Sequence, residues 1–346
     1  MTTTTIPSRP AWRASAAAAA LIAATTGGAA AQEHQFTMAV LTAPGSYYAT
    51  MIEQIPDRIA AATDGRVQVQ LNDSVLNASQ IVAGVRAGRV PMSVGVHTYL
   101  AGEEPRMGLF NLPGLMQGMD EWRAVGEAFW FDDLAEIWEE RYGVIALANG
   151  AWCPNYLWSK EPIATVEDFA GKTFRVHNPQ MAAFVDALGA SPTAMAMTEV
   201  MPALERGVID GVFTSWCVGW RQDYWRVANH VQNWGFADVT GWVVLMNRDA
   251  WAELPEDLQT AIRDAMDAFE DEALTGYDAF AYGMVDEMMN SDNVTVVEIT
   301  EAERDRIFQP AYTQVVYDAW YARAAEVGFD GEAYIARVRE VLGRPE

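Results

Sequence analysis

The chain has 346 residues, with 23 lysines and arginines against 47 aspartates and glutamates, and a formal net charge of −24. A surface this acidic repels nucleic acid and anionic lipid, which excludes both as partners, so any anion site must be a local patch of positive charge. The length allows two lobes of ordinary size, each with its own hydrophobic core.

The N-terminus has the pattern of a secretory signal. Arg9 and Arg13 precede a run of small apolar residues over 14–24, and an alanine-rich cleavage signal ends at Ala31. The run is shorter than the roughly 20 residues that a membrane-spanning helix needs. We therefore predict that residues 1–31 are a signal peptide and that the mature chain is exported to the periplasm without stable membrane insertion.

The first third of the chain alternates strand and helix patterns. Residues 36–40, 67–71 and 91–97 have the apolar or alternating character of strands, and helical periodicity lies between them. This order is typical of a mostly parallel sheet with helical crossovers. A long helix is predicted over 119–143, followed by a strand over 144–150.

A second set of α/β units begins near residue 153. Strands are predicted over 172–177, 191–197 and 210–216, with helical patterns before each of them. Two serial sets indicate two lobes.

The rest of the chain returns to both lobes. A strand over 241–247 could rejoin the first lobe, a long helical region covers 254–290, and a last strand is predicted over 294–299 before C-terminal helices. We therefore predict that lobe I consists of residues 32–152 and about 240–283. Lobe II is predicted to consist of residues 153–239 and about 284–346.

Enzyme signatures are missing from the sequence. It contains no GxSxG, HExxH, P-loop or GxGxxG pattern. Its four histidines form no cluster with cysteine that would indicate a metal: His34, His97, His177 and His230. We predict a protein that is not an enzyme and has no catalytic residue, metal or cofactor.

Arg175 lies inside the apolar strand pattern over 172–177, and Asn178 and Pro179 follow at once. Alternation along a strand places Arg175 and His177 on the same face. Asn178 is a good N-cap and Pro179 a good first helical residue, so a helix N-terminus begins close to the guanidinium. Guanidinium and helix end together suit a carboxylate. A structural salt bridge with an acidic residue is the alternative.

A longer pattern surrounds Arg175. A G-K-x-x-R strand, a helix ending in G-A-x-P and a helix of the form E-V-x-x-A-L-x-x-G-x-x-D-G follow one another over 168–211. The matching residues are Gly171, Lys172, Arg175, Gly189, Ala190, Pro192, Glu199, Val200, Ala203, Leu204, Gly207, Asp210 and Gly211. The combination closely resembles the signature of the solute-binding receptors of TRAP (tripartite ATP-independent periplasmic) transporters, the DctP-like family.

The resemblance extends over nearly the whole mature chain. It implies an α/β, two-lobed periplasmic-binding-protein fold with a ligand cleft between the lobes and a long hinge-spanning helix. It also implies that Arg175 holds the carboxylate of an organic acid through a two-pronged salt bridge.

The resemblance and the strand ends together suggest further pocket residues. Trp152 stands where the family's sialic-acid receptors carry a second arginine, and Thr214 and Trp216 stand near the place of their asparagine. The ends of predicted strands supply others, because ligands bind at strand ends in α/β sheets. The expected ligand-binding residues are Arg175, Trp216, Trp152, Trp242, Thr214, His97, Tyr48 and Met197.

These departures bear on the ligand. Without a second arginine at Trp152, a sialic acid is disfavoured and a C4-dicarboxylate is not the first choice. An aromatic wall favours a monocarboxylate with an aromatic or apolar body. It suits a betaine- or ectoine-like zwitterion equally well, because aromatic rings also bind cationic centres.

The predicted function is that of a periplasmic receptor that binds a small-molecule carboxylate and delivers it to TRAP transporter membrane subunits. A receptor that only feeds a sensor would have the same pocket, and a periplasmic enzyme is the weaker rival. Cys153 and Cys217 fall at cleft-side strand ends of the second lobe in this alignment, which favours a disulfide over two buried thiols.

Overall fold

The computed structural model describes residues 1–2, 32–43, 45–77, 80–236 and 239–344. Nearly all of the predicted signal peptide lies outside these residues. Within the described ranges, no helix is both long enough and apolar enough to cross a membrane.

The described residues form two separate β-sheets. In chain order, the strands are β1 (His34–Ala39), β2 (Val67–Asn72), β3 (Met92–Val96), β4 (Val144–Trp152), β5 (Asn155–Ser159), β6 (Thr173–Val176), β7 (Ser191–Ala194), β8 (Gly211–Ser215), β9 (His230–Gln232), β10 (Thr240–Asn247) and β11 (Thr295–Val296).

Helices cover both sheets. They are α1 (Tyr47–Ile52), α2 (Ile55–Ala62), α3 (Ile81–Arg86), α4 (Gly118–Val125), α5 (Phe131–Tyr142), α6 (Pro179–Ala187), α7 (Met197–Glu205), α8 (Trp216–Arg221), α9 (Arg248–Ala252), α10 (Glu256–Thr275), α11 (Tyr277–Met289), α12 (Glu301–Ile307), α13 (Pro310–Val327) and α14 (Gly331–Val341).

The first sheet has the strand order β2-β1-β3-β10-β4. β1 pairs in parallel with β2 and β3, as the alternating strand and helix pattern predicted. β10 lies between β3 and β4 and is antiparallel to both, which confirms that the strand predicted over 241–247 returns to the first sheet.

The second sheet has the strand order β11-β9-β5-β8-β6-β7. β6, which carries Arg175, is parallel to β7 and β8, and β5 is antiparallel to β8 and β9. The strand predicted over 294–299 is shorter than expected, because only Thr295 and Val296 pair, at the edge beside β9.

Two predicted helices are interrupted. The helix expected over 119–143 consists of α4, a π-helical turn (Gly126–Trp130) and α5, and it ends at Gly143, which has a φ of 67°. The helical region over 254–290 breaks at Gly276 into α10 and α11. α10 packs along β4 and α2, whereas α11 packs on α8, so the pair runs from the first sheet to the second.

The C-terminal helices contact elements from both halves of the chain. α13 packs on α6, and Trp320 Nε1 donates to the Pro105 carbonyl at 2.8 Å. In α14, the Tyr334 hydroxyl donates to Asp133 at 2.8 Å. The lobe limits near residues 240, 284 and 346 stay a prediction, because these helices bridge the two regions.

Candidate functional site

Arg175 is buried on β6, with 6% of its surface exposed. Its Nε donates to the Met195 carbonyl at 3.2 Å and its Nη1 to the Phe213 carbonyl at 3.4 Å. Burial lowers the pKa of Arg175, and the titratable groups near enough to influence this pKa are Tyr99 and Tyr224 rather than carboxylates. In the described part of the chain, this guanidinium has no acidic partner, so the alternative of a structural salt bridge finds no support there.

The local sequence explains how β6 presents Arg175. Phe174 and Val176 are fully buried on the opposite face of the strand, and the pairing with β7 and β8 fixes the register. Asn178 caps α6 as predicted, because its Oδ1 accepts from Met181 N at 2.8 Å. Its Nδ2 donates to Asn111 Oδ1 at 3.1 Å, which ties the start of α6 to the 3₁₀ helix Pro105–Asn111.

A chain of polar contacts runs from the predicted residue Met197 to Tyr224, which is near enough to Arg175 to influence its pKa. Gln222 Nε2 donates to Met197 Sδ at 3.0 Å, and the Tyr224 hydroxyl donates to Gln222 Oε1 at 3.3 Å. Burial raises the pKa of Tyr224 to about 12, so it is a neutral hydroxyl beside the guanidinium. Neither Gln222, which caps the C-terminus of α8, nor Tyr224, which begins the 3₁₀ helix Tyr224–Arg226, carries a signal in the sequence.

Three predicted residues form one aromatic cluster beside the first sheet. Tyr48 stacks on Trp152, with ring centroids 4.3 Å apart, and meets the edge of Trp242 at 6.0 Å. Trp242 lies against the backbone of Gly150, where a Cβ would come within 1.9 Å of the indole. All three aromatic side chains are buried. The structure therefore brings the three predicted residues Tyr48, Trp152 and Trp242 together, and their contact with a ligand stays a prediction.

Tyr99 lies in the 3₁₀ helix His97–Leu100 directly after β3, and it is exposed, with 41% of its surface accessible. It is near enough to Tyr48 and to Arg175 to influence the pKa of each. Sequence reasoning chose His97 in this segment and had no signal for Tyr99.

His97 lies in the aromatic core of the first region and is not brought next to Arg175. Its Nε2 donates to Asn149 Oδ1 at 3.0 Å, and its ring is about 6 Å from Trp130 and Trp138. Burial lowers the pKa of His97 to about 4, so the imidazole is neutral. These contacts give His97 a packing role, and its contact with a ligand stays a prediction.

Thr214 and Trp216 lie at the end of β8 and the start of α8, both buried. A disulfide joins Cys153 to Cys217, with 6.1 Å between their Cα atoms, and Trp216 N donates to the Pro154 carbonyl at 2.9 Å. The disulfide that the alignment favoured is present. Trp152 directly precedes Cys153 and Trp216 directly precedes Cys217, so the disulfide holds the segments that carry the two tryptophans together.

The structure contains a cavity of about 250 Å³ next to Tyr48. It opens at the carboxyl ends of β1 and β2, and its polar lining includes Thr42, Glu53 and Asp73. A smaller cavity of about 90 Å³, near Lys160 and Lys172, lies at the opposite end of β6 from Arg175 and belongs to neither group of site residues. Among the described residues, no group of three His, Cys, Asp or Glu is placed to hold a metal ion.

Comparison with known proteins gives a family for most of the chain. Residues 38–323 match the DctP family model, described as bacterial extracellular solute-binding protein, family 7.

Curated relatives are similar over shorter stretches. A solute-binding protein of Roseobacter denitrificans is 29% identical over 220 residues, which cover 60% of this chain and 65% of that protein. The C4-dicarboxylate-binding periplasmic protein of Rhodobacter capsulatus is 34% identical over 108 residues, 30% of this chain and 32% of that protein. The ectoine-binding periplasmic protein TeaA of Halomonas elongata is 26% identical over 232 residues, 61% of this chain and 62% of that protein. The chain spans less than two thirds of the length of these relatives.

Solved structures share the fold over most of the chain. DctP7, a Bordetella pertussis extracytoplasmic solute receptor binding pyroglutamic acid, superposes with a TM-score of 0.79 at 21% identity, covering 88% of this chain and 99% of that one. A TRAP periplasmic solute-binding protein from Desulfovibrio salexigens with bound orotic acid gives a TM-score of 0.80 at 21% identity, covering 90% and 99%.

These likenesses confirm the two-lobed α/β fold, and the family that matches is one of binding proteins rather than enzymes. Because the family model covers 38–323 and the fold agrees, the chain belongs to the DctP family of bacterial extracellular solute-binding proteins, family 7.

Proposed function

We propose that the chain is a periplasmic receptor that binds a small organic acid through Arg175 and delivers it to TRAP membrane subunits. The observation that carries this proposal is the buried guanidinium, which has two carbonyl acceptors and no carboxylate partner among the described residues. A buried charge is costly unless it is paired, so a site that keeps one is suited to a ligand of opposite charge.

The relatives support an acid as the ligand class. Solved proteins of the same fold are described as binding pyroglutamic acid, or with bound orotic acid, succinate or L-gulonate. All four are carboxylic acids or their anions. In this chain we propose that Arg175 binds the carboxylate, because a guanidinium fork matches its two oxygens.

The aromatic residues support a monocarboxylate with a flat or apolar body. We propose that Tyr48, Trp152 and Trp242, which pack together, form one side of the pocket and that Trp216, Thr214, Met197 and His97 complete it. The tyrosines that act on Arg175 are neutral hydrogen-bonding groups and supply no second cation for a dicarboxylate.

A zwitterion of the betaine or ectoine type is the second candidate. The aromatic cluster could pack on a cationic centre while Arg175 holds the carboxylate. The ectoine-binding relative TeaA favours this reading.

The test is a thermal-shift screen of the protein from Gln32 onward. The panel contains aryl, keto, hydroxy and branched monocarboxylates, pyroglutamate, orotate, C4-dicarboxylates, ectoine and glycine betaine. At 100 times its dissociation constant, a ligand adds about 2.7 kcal/mol of stability, a rise of a few degrees for a protein of this size.

We expect monocarboxylates to give the largest shifts and to be recovered unaltered by mass spectrometry. Stabilisation by zwitterions alone would favour the second candidate. Turnover of the ligand would contradict the receptor function. Stabilisation by uncharged compounds only would show that Arg175 does not bind the ligand. Delivery is tested separately, by uptake into vesicles that contain TRAP membrane subunits.

A further inference from the structure

The cavity of about 250 Å³ beside Tyr48 is formed by three segments that meet at one corner of the first sheet. Residues 40–43 follow β1, Asp73 directly follows β2, and α1 supplies the third wall. Arg175 does not line this cavity. The cavity is therefore separate from the guanidinium to which the proposed function assigns the ligand carboxylate.

The inner surface of the cavity is apolar. Four aliphatic side chains from the two strand ends and from α1 line it: Val40, Leu41, Ile52 and Leu71. Ile52 is buried and the other three are partly exposed. Such a surface suits a short aliphatic group, because each CH₂ that leaves water contributes to binding.

Two exposed carboxylates, Glu53 and Asp73, lie at the opening of the cavity. Thr42 Oγ1 donates to Asp73 Oδ2 at 3.1 Å, which orients this carboxylate at the end of β2. In the described part of the chain, neither carboxylate forms an ion pair, and no lysine or arginine lines the cavity. The opening therefore has negative charge without a counter-charge from the protein.

The end of α1 adds to this negative potential. Glu53 is the C-cap of α1, so the terminal carbonyls of the helix, which carry partial negative charge, lie at the same corner. Apolar surface inside and negative charge at the opening together match a cation that carries an apolar stem.

We propose that this cavity is a second binding site, for a small organic cation with an ammonium or guanidinium group on a short aliphatic stem. The stem packs on the aliphatic side chains, and the charged group contacts Glu53 and Asp73 at the opening. This site goes beyond the proposed function, because it does not require a carboxylate at Arg175.

The test is methyl NMR of the protein from Gln32 onward, with labelled isoleucine, leucine and valine methyl groups. The probes are butylguanidinium and butylammonium. Butyramide and butyrate, which have a similar stem without a positive charge, are the comparison compounds. We expect both cations to shift the methyl signals of Val40, Leu41, Ile52 and Leu71 saturably, with butyramide much weaker and butyrate without effect there.

Two variants remove the charges without changing the size of the side chains. Glu53→Gln and Asp73→Asn should each weaken cation binding about two- to five-fold, the range for exposed ion pairs, and the double variant should weaken it further. Glu136→Gln removes an exposed carboxylate on α5 and is the matched control, with unchanged binding expected. Added salt should weaken binding, because exposed charges are screened. Thermal unfolding checks that each variant is folded.

The inference is overturned if neither cation shifts the cavity methyl signals saturably, or if butyramide or butyrate shifts them as strongly. Unchanged cation affinity in the folded double variant would also overturn it. The proposed function fails separately, if no carboxylate in the thermal-shift panel stabilises the wild type.

Discussion

Arg175 and Glu270 show two ways in which this chain buries a charged group. Arg175 stays a cation against the cost of desolvation, held by the carbonyls of Met195 and Phe213. Glu270, on α10, accepts from both the backbone and side-chain nitrogens of Asn149, and burial raises its pKa to about 7. The first is suited to a ligand, whereas the second connects α10 with β4.

Glu270 predicts a pH dependence of stability. Its folded pKa of about 7 lies above the ordinary value of 4.5, so the protonated form is favoured in the folded protein. Its contribution to the free energy of unfolding is therefore complete below pH about 4.5, decreases as the pH rises and is lost above pH about 7. Glu270→Gln keeps an acceptor for Asn149 without the charge, so we expect it to be more stable than the wild type at pH 8 by about 1–3 kcal/mol.

Denaturant unfolding at pH 8 and pH 4.5 measures this difference, which should nearly vanish at the lower pH. Glu136→Gln, at an exposed position on α5, is the matched control and should change stability little at either pH. A Glu270→Gln variant that is less stable than the wild type at pH 8 would show that the ionised carboxylate holds Asn149 in place.

The disulfide links α8, which follows a strand of the second sheet, to the segment between β4 and β5, where the chain passes from the first sheet to the second. Cys153 follows β4, Cys217 lies in α8, and Trp216 N also bonds to Pro154. The end of β8, which includes the Phe213 carbonyl beside Arg175, is thereby held close to the crossing.

Removing the disulfide should destabilise the protein. The bridge closes a loop with a sequence separation of 64, for which chain entropy predicts about 4 kcal/mol of stabilisation. We expect the Cys153→Ser/Cys217→Ser variant to unfold at clearly lower denaturant concentration, and a reducing agent to affect the wild type but not the variant. A variant as stable as the wild type would mean that neighbouring backbone contacts alone hold this junction.

Most elements could be predicted from the sequence, because their cause is local. Alternation identified β2, and the Asn178–Pro179 signal located α6. The break at Gly276 has a distant cause, because the Tyr47 hydroxyl donates to the Ala273 carbonyl at 2.8 Å. A Cβ at Gly276 would come within 3.0 Å of the same hydroxyl. No periodicity in residues 254–290 could reveal a contact with a tyrosine more than 200 positions earlier.

The chain passes between the two sheets at three places, between β4 and β5, between β9 and β10 and between α10 and α11, and these places lie close together. Asn155 Nδ2 donates to Thr240 Oγ1 at 3.1 Å, which joins the β4–β5 crossing to the start of β10. The Tyr277 hydroxyl donates to the Trp152 carbonyl at 3.1 Å, which joins the α10–α11 crossing to the same place. A compact set of crossings is a suitable hinge, since a few residues can absorb a change of angle between two regions.

The site was only partly predictable for the same reason. Arg175 stood out because a charged residue interrupted an apolar strand before a helix start. Tyr99 and Tyr224 carry no local signal, since their relation to Arg175 arises only when separate segments meet. Strand-end reasoning selected His97, whose ring nitrogen is hydrogen-bonded to Asn149, and its contact with a ligand stays a prediction.

The proposed function depends most on one residue, Arg175, as the group that binds the ligand carboxylate. The most direct test is titration calorimetry of the acid that most stabilises the wild type, with Arg175→Met and, as control, Arg306→Met, which removes a surface arginine paired with Glu167. Truncating one partner of a buried charge pair costs about 2–5 kcal/mol. We therefore expect Arg175→Met to bind roughly thirty- to several-thousand-fold more weakly, with Arg306→Met unchanged. A folded Arg175→Met protein that binds the acid as tightly as the wild type would show that Arg175 does not bind the carboxylate.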